Sequence, residues 1–221
     1  ARVLAGCLLV LNLPAARAVS PATIGPQANC DYSSAVAGSI QTAHAQALLV
    51  AELAAFAKAH NIPVVETQAG KSALAHDDAQ NFGPVGVTGS SSANIVCEGA
   101  DLVIGVGTRF QDFTTGSWSL FKNPKRRILS VNVQAYDACK HGAISFVSDA
   151  KIALQAFGKA LGSHRFVGAD AKLRADWAAA KAAVKAAPAT GNRLPTDMQV
   201  VGTVNRTATP ATIVMGAAGT M

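Results

Sequence analysis

Apolar residues recur at helical spacing from residue 46 onward. In ALLVAELAAFAKAHNIP, Leu49, Leu53 and Phe56 share one face, and His60-Asn61 ahead of Pro63 supplies the stop. PVVETQ then predicts a short strand, followed by a loop rich in Asp, Gly and Pro. GSSSANIVCEGA predicts a helix with Ser90 or Ser91 at its N-cap. DLVIGVG is almost wholly apolar, the pattern of a strand buried on both faces. RRILSVNV and AISFVS predict two more strands. Asp149 caps AKIALQAFGKALG, where Ile152, Ala156, Phe157 and Leu161 are read as a stripe that Gly162 ends. Strands alternating with helices predict an α/β fold, a Rossmann-like parallel sheet covered by helices on both faces.

Beyond that pattern the chain changes character. Ala169 to Ala187 is rich in alanine and lysine and predicts a helix anchored by Trp177, which PATGNRLP breaks. TDMQ, Thr196 to Gln199, is a capping box opening a helix with Val200, Val201 and Val204 on its apolar side. ATIVMGAAG predicts a strand ending in glycine, the start of a second α/β domain. Upstream, residues 14–45 show no clean period. The first residues, ARVLAGCLLVLNLPAARA, carry Arg2, an apolar run from Val3 to Leu13 and an Ala-x-Ala-like end. They outline a secretory signal, a buried strand or the edge of a fragment, and are too short to span a membrane. The expected organisation is a poorly specified segment 1–45, a central domain 46–163, a helical linker 164–194 and a truncated start of a C-terminal cofactor-binding domain 195–221.

Composition narrows the classes. Half the residues are apolar and 14% are charged, which favours a packed core over disorder. The net charge of +6 is spread along the chain, with one tight basic cluster, KNPKRR, Lys122 to Arg127. Its Asn-Pro centre favours a solvated turn over a phosphate-binding patch. Basic residues interleaved with aromatics are missing, so no nucleic-acid partner is expected. Cys7, Cys30, Cys97 and Cys139 lie far apart, which disfavours zinc or a disulfide framework and suits reduced thiols in the cytoplasm. No membrane partner is expected, and the five histidines show no ligand spacing.

Candidate chemistry is sparse. GVGTR ends an apolar strand with Gly107, Thr108 and Arg109, where backbone N–H groups and a guanidinium suit a phosphate. It lacks the Gly-x-Gly-x-x-Gly pattern, and a structural turn is the competing reading. GVTGSSSAN has neither a P-loop lysine nor a nucleophile elbow, so its serines read as helix caps. His76-Asp77-Asp78 reads as a solvated loop. Thr114-Thr115-Gly116-Ser117-Trp118 is a polar loop with one large aromatic, open in role.

IPVVETQAGKSAL, GPVGVTGSSSAN, ADLVIGVGTRFQDFTTGSW and LSVNVQAYDACKHGA together resemble the central domain of thiamine-diphosphate-dependent enzymes. The closer likeness is to the hydrolases that open a cyclic 1,2-dione in inositol catabolism. It is dense from Leu49 to Leu161 and resumes at LPTDMQVVGTVNR and IVMGAAG. The resemblance implies thiamine diphosphate and Mg2+ in a three-domain subunit, a homo-oligomer when complete, acting on a small cyclic dione by C–C cleavage. In that chemistry a thiazolium adds to a carbonyl and stores a carbanion. The activating glutamate and the Gly-Asp-Gly to Asn metal segment of such enzymes are not visible, so no catalytic or metal residue is assigned. The fragment is expected to be inactive alone. Gly107, Thr108 and Arg109 are expected to shape the cofactor's approach, and Gly216, Ala217, Ala218 and Gly219 to lie near it. FAD is not expected. The alternative is an FAD- or ADP-binding Rossmann-like module of an acetolactate-synthase-like enzyme.

Overall fold

Six parallel strands form the centre of the first of two units, Ala1–Arg174 and Ala175–Met221. The computed structural model describes residues 7–11, 49–188, 194–209 and 211–214. In chain order the first unit holds β1 Cys7–Leu11, α1 over residues 49–60, β2 Val64–Glu66, β3 Asn81–Pro84, α2 Ser91–Gly99 and β4 Leu102–Val106. Then come α3 Asp112–Thr115, β5 Arg127–Asn132, α4 Ala135–Ala138, β6 Ile144–Val147 and α5 Ala150–Leu161. The sheet order is β3-β2-β1-β4-β5-β6. This is the doubly wound order, in which the chain reverses direction across the sheet between β1 and β4.

The N-terminal apolar run therefore supplies an interior strand. Leu9 of β1 pairs with Val64 on one side and Ile104 on the other. Of the readings open for that run, a strand is what the structure shows over Cys7–Leu11. The segment without a clean period, 14–45, lies outside the described residues.

The expected sheet with helices on both faces is present. On one face Leu53 and Phe56 of α1 and Leu154 of α5 pack with Val64, Ile104 and Val106. On the other, Ala93, Val96 and Cys97 of α2 join Phe110 and Phe121 over Val65, Val103 and Ile128. The alternation of Val64 with Val65, and of Val103 with Ile104, sends neighbouring side chains to opposite faces. Fully burying one Val, Leu or Phe contributes about 1.5–3 kcal/mol, which is why strand residues apolar at every position hold the middle layer.

Local signals match the ends of elements. Ser90 caps α2, its hydroxyl accepting from the Ala93 N–H at 3.1 Å, and Asp149 caps α5 by accepting from Ile152 N at 3.1 Å. Helix α1 stops at Asn61, whose φ of 55° turns the chain. Arg165 donates to the Lys58 and Ala59 carbonyls left open there, at 3.2 and 2.7 Å.

Three expectations change. The loop after PVVETQ contains a strand, β3, at the sheet edge. Its sequence NFGP has no period, and an edge tolerates a proline that cannot donate to the ladder. In α5 the buried residues are Ala153 and Leu154, with Phe157 and Leu161 packed beside them, while Ile152 is 63% exposed and Ala156 exposed. The stripe runs one residue round from the one expected, because Leu154 and Phe157 fix the face. In the second unit, residues 211–214 of the expected ATIVMGAAG strand are turn and coil, with Ile213 and Val214 exposed. A strand needs a neighbour to pair with, and the described residues of that unit offer none.

Apart from such turns and coil, the described residues of that unit form two helices. Helix α6, Ala171–Ala186, begins in the first unit and carries Trp177 only half-buried. The capping box holds: Thr196 opens α7, Asp197–Thr207, and exchanges bonds with Gln199. Val200, Val201 and Val204 stay exposed, and the residue α7 buries is Gly202, where a Cβ would stand 2.3 Å from the Val184 carbonyl. Arg206 donates to the Lys185 and Ala187 carbonyls at 2.9 and 3.0 Å, closing the end of α6.

Candidate functional site

At the carboxyl end of β4 the chain reaches Gly107, whose φ of 68° makes the turn while its N–H still bonds the Val131 carbonyl at 2.8 Å. Thr108 points inward and is buried. Its Oγ1 accepts from the Phe110 N–H at 3.1 Å, and its carbonyl accepts from Asn132 Nδ2 at 3.3 Å. Arg109 is exposed, and its Nε and Nη2 donate to Gln111 Oε1 at 3.3 and 3.1 Å. Of the triplet, the hydroxyl braces the turn and the guanidinium faces outward. Gly216, Ala217, Ala218 and Gly219 lie outside the described residues.

Arg109 borders a cavity of about 350 Å³ that it shares with Phe110, Gln111, Asp112, Trp118, Lys140 and His141. Three elements build it: the turn after β4, the segment running through α3, and the link between α4 and β6. Gly116, the C-cap of α3, and then Ser117 and Trp118 have φ of 55°, 53° and 65°. Three left-handed residues in a row reverse the chain and lay Trp118 against Phe110, centroids 6.1 Å apart, and His141 at 4.4 Å. Thr115, fully buried, supports this reversal by accepting from the Trp118 N–H at 3.3 Å.

Backbone strain concentrates here. Among the described residues six non-glycines have positive φ, and Phe110, Ser117, Trp118 and His141 are four of them. Each such residue costs on the order of 1–3 kcal/mol and persists where packing over-determines it, which is common around ligand sites. Burial, and then the charge of Lys140, lower the His141 pKa from the ordinary 6.5, so its imidazole is neutral at pH 7. Lys140 itself is paired with Asp137 at 2.5 Å.

Neither Lys140 nor His141 was singled out from the sequence, although both lie within LSVNVQAYDACKHGA. Their signal was weak, since nothing in a helix-to-strand link shows which side chain turns back over Trp118. Glu66 was missed as well. It ends β2 fully buried, paired with Lys71 at 2.9 Å and accepting from the Leu74 N–H at 3.2 Å, and so fixes the loop beyond the strand. Ser90 is a cap, as expected. His76-Asp77-Asp78 lies in a loop where Asp78 accepts from Gln80 N at 2.7 Å. No group of three or more His, Cys, Asp or Glu is placed to hold a metal ion among the described residues, and none of their helices is long and apolar enough to cross a membrane.

A doubly wound parallel sheet covered by helices defines a Rossmann-like domain, and its sequence places it in a known family. Residues 37–157 match the thiamine pyrophosphate enzyme central domain, and the chain belongs to that family. Among its relatives are proteins named 3D-(3,5/4)-trihydroxycyclohexane-1,2-dione hydrolase. The one from Clostridium botulinum is 47% identical over 115 residues, covering 52% of this chain and 18% of the relative. The Clostridium perfringens protein is 51% identical over 100 residues, 45% of this chain and 16% of its own length. The Geobacillus thermodenitrificans protein is 48% identical over 109 residues, 49% and 17%. The chain thus spans less than a fifth of the length of these curated relatives.

Proposed function

We propose that this chain serves as the central domain of a thiamine-diphosphate-dependent hydrolase that opens the ring of trihydroxycyclohexane-1,2-dione by C–C cleavage in inositol catabolism. The observation that carries this reading is the 47–51% identity to relatives bearing that name, over a stretch that includes the folded sheet. The flavin- or ADP-binding alternative has no comparable support from these relatives.

The described residues supply no metal-ligand set, so thiamine diphosphate and Mg2+ belong to the proposal through the family, and no catalytic step is assigned to a residue here. What this domain contributes is shape. The Gly107–Arg109 turn and the cavity beside it lie at the carboxyl end of β4, where α/β folds place ligands. A cytoplasmic location fits the free thiols of Cys97 and Cys139.

A chimera tests the reading. Residues 1–163 of this chain, which include β1, would replace the matching central domain of the Clostridium botulinum relative, and ring opening of the dione would be followed. Activity within about tenfold of the parent is expected. A chimera that folds and assembles with bound cofactor yet turns over no dione would overturn the proposal.

A further inference from the structure

We propose that a second cavity, between the amino-terminal ends of β5 and β6, is an anion site that takes the phosphate group of a small molecule. It is an open depression of about 330 Å³ lined by Arg126, Arg127, Ile128, His141, Gly142 and Ile144. Two of these side chains are permanent cations, a third is an imidazole, and none is acidic. The ion pairs Lys71–Glu66, Lys122–Glu98 and Lys140–Asp137 involve neither arginine. The basic run KNPKRR, which the proposed function leaves unused, thus contributes two of its residues to one concave surface.

The site is held in place before any ligand arrives. The Arg126 guanidinium lies 5.5 Å from the Trp118 ring centroid, and its Nη1 donates to the Asn123 carbonyl at 3.2 Å. Its Nε is buried with no acceptor. His141 and Gly142, at φ of 60° and 67°, line the cavity wall, with the imidazole 4.4 Å from the Trp118 ring centroid. Arginine forks match phosphate oxygens in pairs, which a lysine cannot do. The volume sits at the small end of ligand pockets, about 300–1,000 Å³, which suits a phosphorylated small molecule better than a polymer chain.

The test uses the whole 221-residue chain and inorganic phosphate, with ionic strength held constant by chloride. Two-dimensional NMR should show saturable shifts at the amides of residues 126–128 and 141–142. Arg127→Gln should weaken binding at least fivefold, and Arg127→Lys should fall between it and the parent. Lys125→Gln, on the same loop outside the cavity, should stay within twofold. Shifts no larger than those with chloride, shifts centred elsewhere, or equal weakening by Lys125→Gln and Arg127→Gln would each overturn the proposal. Unfolding midpoints of the variants confirm that the comparison is made on folded protein.

Discussion

Arg109 and His141 face the same cavity but are held differently, and substitutions should separate them. Arg109 is exposed and bonds only the neighbouring Gln111, so Arg109→Ala leaves no buried acceptor unpaired. Unfolding in urea should show a loss of no more than about 0.5 kcal/mol. A larger loss would mean that the guanidinium braces the loop after β4. His141 is packed against Trp118 beside Lys140, with Arg126 and Arg127 across the neighbouring cavity. Its pKa is lowered in the folded state by burial and by Lys140, so on acidification the unfolded chain takes up the proton first. The sign follows: this group costs nothing above neutrality and destabilises the fold progressively as pH falls through 6.5 toward the lower folded value. A proton NMR titration should find His141 below the ordinary value. His141→Gln should flatten the acid side of the stability profile, and an unchanged profile would count against this assignment.

Strand β4 shows why a glycine can look like a ligand cradle and be a packing device. Gly105 in DLVIGVG sits mid-strand, where glycine costs backbone entropy. A Cβ there would lie 2.5 Å from the Phe110 ring and 2.9 Å from the Thr108 methyl. The chain turns at Gly107, returns over the strand, and lays Phe110 on the bare backbone at Gly105. Gly105→Ala must push Phe110 away, and overpacking of this kind costs typically 1–3 kcal/mol. Because Phe110 touches Trp118 and the cavity, the variant should also change tryptophan fluorescence in the native state. Native emission and stability both unchanged would show that the ring can move freely.

At the scale of the whole molecule, the sheet depends on a strand contributed from far away in sequence. β1 lies between β2 and β4, pairing along Leu9–Leu11 with one and Cys7–Leu11 with the other. Deleting residues 1–11 leaves both neighbours with open ladders at the switch point, and cooperative thermal unfolding should be lost. A sigmoidal transition at the parent's midpoint would overturn the placement of β1. The α/β character, α1, α2, β4, β5 and the caps at Ser90, Asp149 and Thr196 were legible in the sequence, because period and capping are local properties that a short window carries. Gly107 was legible as a turn for the same reason. Pairing of β1 with strands more than fifty residues away, the strand status of NFGP, the face of α5 and the meeting of Arg126, Trp118 and His141 were decided only by the tertiary structure. Each depends on which surfaces come together once the sheet forms, and contact between distant residues leaves no trace in the spacing of either one.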